Sequence, residues 1–370
     1  MSCSLCRLPF VPSPGSAAPL AEHFPPKGVL TSAQYAYFQS AVAMGNRVHG
    51  LVQNCEFCSP NMFVTFNPPV LLNMTWAHPD FTYVMMHRVC AGLFRRAMGC
   101  EGDDYEAYKR LSEVELVMGP LGELADAGAL RGVDYASIGE KIDVQPFWRV
   151  GSDHGKNSFK YDEFAKSSLG DWLLTRPDTF PRFYPTVEEK HMSTIPHPDT
   201  LPPSTDVLTT QPLDVLRAIL AQLDARTYIR LTSTCRFLRA HALTTFQPEA
   251  RALVLGLPWA LPTRAERERM GPAAAAAVPG ASAPEDGDWL LYLSHAHRTK
   301  GMRVRRWLWA AAVEAARVFE ERKGKGPYAE GRDTPERRKF DRQTEMLYLP
   351  PMFPEGAMGG SGRFSALGTQ

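Results

Sequence analysis

The stretch Gln-Pro-Leu-Asp-Val-Leu-Arg-Ala-Ile-Leu-Ala-Gln-Leu-Asp, residues 211–224, carries the clearest secondary-structure pattern in this chain of 370 residues. Its apolar residues recur at the 3.6-residue spacing of a helix with one apolar face: Leu213, Leu216, Ile219, Leu220 and Leu223. Pro212 suits a first helical turn, where the N–H that proline lacks would have no partner. The pattern therefore predicts an amphipathic helix that begins near residue 212 and ends before Asp224.

Two shorter helices are predicted directly after it, one carrying Tyr228, Ile229 and Leu231 and one carrying Cys235, Phe237 and Leu238. Three helices of about 35 residues in total bury too little apolar surface to fold alone. Some of their apolar side chains must therefore pack against another surface, which is typical of an interaction module.

The order of residues in this module resembles the F-box motif. The matching positions are Pro212, Asp214, Leu216, Ile219, Leu220, Leu223, Asp224, Leu231, Cys235 and Arg236. Gln211 stands where the family usually has Leu, and Leu238 stands where Trp is common. A plain three-helix packing unit inside a larger domain is the alternative interpretation.

The resemblance implies that the module binds a Skp-type adaptor, which links to the cullin scaffold of an SCF ubiquitin ligase. It implies that the contact residues are Pro212, Leu213, Leu216, Ile219, Leu220, Leu223, Leu231 and Cys235. The chain would then be a non-enzymatic substrate receptor for ubiquitin-dependent degradation, and its substrate protein is unknown. No internal repeat of a familiar receptor architecture is visible.

Three pairs near the N-terminus have metal-ligand spacing: Cys3-x-x-Cys6, Cys55-x-x-Cys58 and His87-x-x-Cys90. A two-residue gap lets both side chains reach one tetrahedral ion. A closed site needs four ligands, so six candidates are too many for one site and too few for two. We expect Cys3, Cys6, His87 and Cys90 to hold one structural zinc ion, with Cys55 and Cys58 as competing ligands or buried thiols.

Two features weigh against zinc. About 80 residues separate Cys6 from His87, more than in compact zinc fingers. Arg7 stands where the turn after the second cysteine usually has Gly.

The chain also resembles a group of fungal F-box proteins that open with Cys-x-x-Cys and later carry His-x-x-Cys at a helix start. That group has a Leu-Pro-Trp stretch after the F-box, as at 257–262 here, and a Met-Arg-x-Arg-Arg segment, as at 302–306.

The predicted fold class is α+β, with five segments along the chain. A small mixed, zinc-stabilised unit is expected at 1–150 and a linker at 151–209. The helical module is expected at 210–245 and a mainly helical region at 246–322, with an Ala/Pro tether at 272–287. A charged, Gly-rich and partly disordered tail is expected at 323–370. Strands are predicted at 63–66 and 81–86, a helix around Cys90 to Met98, and a helix running into a strand at 105–118.

Composition narrows the function classes. The net charge of +1 gives no overall attraction to nucleic acid or to a membrane surface. No signal peptide and no membrane-spanning stretch is apparent, so a cytoplasmic or nuclear protein is expected. No phosphate-binding Gly-rich loop and no Gly-x-Ser-x-Gly motif occurs, and we expect no enzymatic activity.

The competing hypothesis is a standalone zinc-binding accessory protein of chromatin or nucleic acid, in which the three helices are only structural. Arg303, Arg305 and Arg306, interleaved with Trp307 and Trp309, have the composition of a nucleic-acid patch. An amphipathic helix explains the same pattern more simply, so nucleic-acid binding is the weaker expectation.

Overall fold

The computed structural model describes residues 2–12, 24–44, 52–59, 62–65, 71–73, 84–102, 104–118, 129–149, 158–187, 206–280, 282–325, 329 and 331–348. Its strands are Ser40–Met44 (β1), Val52–Ser59 (β2), Met62–Thr65 (β3), Leu71–Asn73 (β4), Val84–His87 (β5), Trp148–Arg149 (β6) and Ser158–Phe159 (β7).

The helices of the N-terminal half are Ser32–Gln39 (α1), Arg88–Ala97 (α2), Tyr105–Met118 (α3), Tyr161–Lys166 (α4) and Gly170–Leu173 (α5). Those of the C-terminal half are Leu213–Leu220 (α6), Ala225–Thr232 (α7), Arg236–Thr244 (α8), Gln247–Leu255 (α9), Arg264–Arg269 (α10), Pro272–Ala276 (α11), Trp289–Arg298 (α12), Lys300–Lys323 (α13) and Pro335–Tyr348 (α14). The mixed helix and strand content agrees with the predicted class at this coarse level.

A five-stranded antiparallel sheet in the order β4-β3-β2-β1-β5 forms the centre of the N-terminal half. The predicted strand near 63–66 is present as β3, and Val84 to Met86 lie in β5; Phe66 and residues 81–83 lie outside the described residues. Residues 105–118 form one continuous helix, so the strand expected at its end is wrong. β5 runs directly into α2, which brings a strand end and a helix start together at His87.

The first hydrophobic core is formed by residues from widely separated parts of the chain. It takes side chains from 3–11, from the sheet, from α2 and α3, and from Val304 to Phe319 of α13. The described part of the expected linker also contributes, because Phe159, Phe164 and Trp172 are buried there. That part of 151–209 is therefore packed structure, since its aromatic side chains have an apolar core to fill.

The second hydrophobic core belongs to the three-helix module and the helices after it. Leu216, Leu220 and Tyr228 pack with Trp289 and Tyr292 of α12. Much of the apolar surface that three short helices cannot bury among themselves is thus covered within the same chain.

The long helix α13 joins the two cores. Met302, near its start, lies in the second core, whereas Val304 and the buried residues after it lie in the first. Directly after Val304, the fully buried Arg305 donates to both carboxylate oxygens of Glu266, at 2.7 and 2.6 Å. It also donates to the carbonyl oxygens of Trp259 and Leu261, at 2.8 and 3.1 Å. The guanidinium of Arg305 therefore links the two segments that resemble the fungal group, 257–262 and 302–306.

The C-terminal residues from 323 onward also contain ordered structure. Arg337 of α14 is buried and donates to Glu113 of α3 at 2.7 Å. In the Ala/Pro stretch at 272–287, one short helix forms, α11, which is consistent with its flanking prolines. Among the described residues, no helix is both long and apolar enough to cross a bilayer.

We predict that Glu266→Gln lowers the free energy of unfolding by about 3–5 kcal/mol, because it leaves the buried charge of Arg305 without a carboxylate. Urea denaturation measures the loss. Glu268→Gln is the matched control, since Glu268 forms an exposed pair with Arg264 worth less than about 1 kcal/mol. Equal losses in the two variants would contradict this role for the buried pair.

The same pair predicts sensitivity to acid. Burial acts to raise the pKa of Glu266, but Arg305 and Thr263 hold it below the ordinary value. The stabilisation is complete above the ordinary glutamate pKa of about 4.3 and is lost as the pH falls toward the lower pKa of the folded state.

Candidate functional site

Four residues that are far apart in the sequence meet in the first core. The ligand atoms of Cys3, Cys6, His87 and Cys90 all lie within 4.8 Å of one another, and all four residues are buried. This is the set of ligands that the sequence predicts. Three sulfurs and one imidazole nitrogen in one cluster form a group that could hold a metal ion.

A tight turn brings Cys3 and Cys6 together. The Arg7 N–H donates to the Cys3 carbonyl and the Cys3 N–H donates to the Leu8 carbonyl, both at 2.9 Å. The turn then docks on the sheet edge, where the Ser4 N–H donates to the Met85 carbonyl of β5 at 2.7 Å. The N-terminal pair is therefore held beside the strand that ends at His87.

Arg7 adopts the left-handed backbone conformation that the turn requires, with φ of 62°. This costs a residue with a side chain about 1–2 kcal/mol relative to Gly. The buried guanidinium lies over the Tyr135 ring and donates to Ser2 Oγ at 3.1 Å. The Arg7 carbonyl accepts from Trp148 Nε1 at 3.1 Å. These contacts offset the cost, so the missing Gly does not prevent the turn.

His87 and Cys90 are positioned by the junction of β5 and α2. His87 occupies the N-cap position of α2, and its backbone N–H donates to Cys3 Sγ at 3.3 Å. Cys90 lies in the first turn of the helix, where its side chain reaches the same cluster. Backbone N–H groups that donate to a sulfur favour its thiolate form, which is the form that binds metal.

The orientation of the His87 ring leaves one nitrogen for the cluster. Nδ1 lies 3.3 Å from Cys6 Sγ, and Nε2 lies 3.2 Å from the carbonyl oxygen of Pro9. Because a carbonyl only accepts hydrogen bonds, Nε2 carries the proton and donates to Pro9, which leaves the lone pair of Nδ1 for a ligand. A second hydrogen bond of this kind is typical of metal-binding histidines. The rings of Phe10, Tyr37 and Phe38 surround the imidazole at 4.6 to 5.5 Å between centroids.

The pKa values of the three thiols are shifted in different directions. Burial raises the pKa of Cys6 and of Cys90 well above the ordinary thiol value, and the neighbouring Cys3 adds to both shifts. Burial acts in the same direction on Cys3, but hydrogen bonds with Cys6 and Cys90 hold the pKa of Cys3 well below that value.

Cys55 does not join the cluster. Ala41 of β1 pairs with Cys55 on one side and with His87 on the other. The backbones of Cys55 and His87 are therefore separated by two strand spacings, about 10 Å. Cys55 is buried elsewhere in the core, and the side chain of Cys58 lies outside the described part of the chain. The four-residue set is therefore favoured over the competing pair.

The residues that the resemblance assigns to adaptor binding fall into two groups. Leu216 and Leu220 are 1% exposed and lie in the second core. Pro212, Leu213 and Ile219 are exposed, whereas Leu223, Leu231 and Cys235 are half-buried. Cys235 is the N-cap of α8, and its Sγ accepts from the Leu238 N–H at 3.5 Å.

Two exposed apolar residues beside this group were missed by the sequence reasoning. Val215 is 39% exposed and lies one helical turn before Ile219, which is 37% exposed. Val207, in the turn before α6, is 80% exposed. The i, i+4 spacing of Val215 and Ile219 is visible in the sequence, but the side of the helix that faces the core is not.

The arginines considered as a nucleic-acid patch have other partners. Arg305 is fully buried in the ion pair with Glu266, and Arg303 and Arg306 both pair with Glu140. That interpretation of the three arginines is therefore not supported.

A scan of protein-family models found no match to this chain, and searches of curated proteins and of solved structures found none either.

We predict that each chain binds about one metal ion. Cys3→Ser and Cys90→Ser should each remove most of the bound metal, because a closed four-ligand site loses a thiolate. Metal content of purified protein measures this. Cys100→Ser is the matched control, since Cys100 is buried but lies outside the cluster. Unchanged metal content in both cluster variants would exclude the site.

Metal affinity should rise with pH. The Cys6 and Cys90 thiols, whose pKa values are raised, must each lose a proton to become ligands. Competition with a chelating dye between about pH 6 and about pH 8 measures the trend, and pH-independent affinity would contradict it.

Proposed function

We propose that this protein holds a structural zinc ion in its N-terminal half and acts as an adaptor. It would dock through α6 onto a Skp-type subunit of a cullin-containing ubiquitin ligase. Other surfaces would recognise a substrate protein.

The donor set supports zinc over other metals. Cysteine thiolates and imidazole are the ligands of structural zinc sites, whereas magnesium and calcium select oxygen ligands. The separation of 3.3 Å between Cys6 Sγ and His87 Nδ1 is close to the 3.5 Å or so expected across a tetrahedral zinc ion. All four candidate ligands are buried, so an ion held by them would be shielded from solvent, which fits a structural role.

The observation that carries the docking proposal is a concentration of exposed apolar side chains. The large hydrophobic residues exposed among the described residues are Val207, Leu213, Val215, Ile219 and Val313. All but Val313 lie within 207–219. Exposed apolar residues that cluster in one segment are typical of an interaction site, whereas single ones are ordinary.

The position of this apolar surface agrees with the F-box resemblance. Pro212, Leu213 and Ile219 are among the residues that the resemblance assigns to the adaptor, and all three are exposed on or next to α6. Leu216 and Leu220 are buried and pack α6 against its own core. The helix can therefore keep its other apolar side chains exposed to a partner without unfolding.

We predict that Leu213→Asp and Ile219→Asp each weaken binding to a purified Skp-type adaptor at least about tenfold, because a buried interface anchor contributes about 2 kcal/mol or more. Titration calorimetry with the full chain measures this. Leu216→Asp, by contrast, should unfold the second core and lower the melting temperature.

The matched control is Val313→Asp, since Val313 is 44% exposed but lies on α13. It should leave adaptor binding unchanged. Lack of binding by the wild-type chain, or equal binding by all variants, would contradict the docking proposal. Binding of an oligonucleotide with steep salt dependence and no binding of the adaptor would instead favour the accessory-protein hypothesis.

A further inference from the structure

Positive charge is concentrated on the three-helix module. Residues 225–244, which span α7 and α8, contain four arginines and neither Asp nor Glu: Arg226, Arg230, Arg236 and Arg239. Over 212–244, five arginines against two aspartates give a net charge of +3, although the whole chain carries only +1. The rest of the chain is therefore slightly acidic, at –2.

These four arginines lie mostly at the surface of the module. Arg226, Arg230 and Arg236 are exposed, and Arg239 is half-buried. Within the described part of the chain none of the four forms an ion pair. Arg217 of α6, by contrast, pairs with Glu249 at 3.1 Å.

The two aspartates of the module accept hydrogen bonds from nearby backbone N–H groups. Asp224 caps α7, accepting from the backbone N–H groups of Arg226 and Thr227 at 2.9 and 3.0 Å. An Asp214 carboxylate oxygen accepts from the Val215 N–H at 2.9 Å. Neither carboxylate is paired with one of the four arginines, so the module presents a positive surface to its surroundings.

The positive field also reaches the neighbouring helices. Burial and then the charge of Arg306 lower the pKa of His297 on α12, and Arg226 contributes in the same direction, whereas Asp224 opposes them. Arg226 therefore lies close to the α12–α13 region.

We propose that the partner of α6 is a protein whose docking surface has an apolar centre and an acidic rim, and that Arg226, Arg230 and Arg236 steer it onto the module. This inference rests on the proposed docking function. Complementary charge accelerates association and selects orientation, while the apolar contacts hold the complex together.

A protein fits this surface better than a nucleic acid does. A phosphate backbone would satisfy the arginines but would leave Leu213, Val215 and Ile219 without an apolar partner. A protein surface with a hydrophobic groove and acidic residues around it can pair with the arginines and also cover the exposed apolar side chains of α6.

The test is the double variant Arg226→Glu with Arg236→Glu. Both positions lie in the first turn of a helix, where the helix dipole favours a negative charge, so the fold is expected to survive. The control is Arg131→Glu with Arg332→Glu, which makes the same charge change at exposed residues outside the module. Thermal unfolding checks that both variants are folded.

The readout is the rate of association of the full chain with a purified Skp-type adaptor at low and at high salt. The double variant should associate about tenfold more slowly at low salt, with little change in dissociation rate, and the difference should vanish at high salt. The control should match the wild type.

Three outcomes would overturn the inference. Wild-type rates in the double variant at low salt would reject the acidic rim and leave the docking proposal standing. No adaptor binding by the wild type would reject the docking proposal and the inference with it. Binding of a duplex oligonucleotide that the double variant loses would assign the arginines to nucleic acid.

Discussion

The buried guanidinium of Arg305 is the interaction on which the arrangement of the two cores depends. It lies on α13, directly after Val304 of the first core and about one turn after Met302 of the second. Its charge is matched by Glu266, and its remaining N–H groups donate to carbonyls of segments that belong to different parts of the fold. Replacing one partner would leave a charge in an apolar interior, so the contact fixes how the halves of the chain meet.

Helix α2 connects the candidate metal centre to that contact. Its first turn contributes Cys90, and its last turn contributes Arg96, which donates to the carbonyls of Pro258, Leu261 and Pro262 at 2.6 to 2.9 Å. The Leu261 carbonyl also accepts from Arg305. An ion held by the cluster would therefore stabilise the start of a helix whose other end contacts the segment that packs into the second core.

The helical module has two different surfaces for one physical reason. The apolar side chains of α6 occupy more of the helix surface than the second core can cover. Leu216 and Leu220 are therefore enclosed, while Leu213, Val215 and Ile219 stay exposed. The buried residues make the module stable within the chain. The exposed ones are available to a partner, and α7 and α8 carry exposed arginines.

The sequence by itself determined the local features. Helical periodicity predicted α6, and the two-residue gaps of Cys3–Cys6 and His87–Cys90 marked two candidate ligand pairs, because both patterns depend on residues close in the chain. Only the tertiary structure decided which face of α6 is buried, that Cys55 lies two strands from His87, and that Arg305 is an interior ion pair. These outcomes depend on contacts between residues far apart in sequence, which no local pattern encodes.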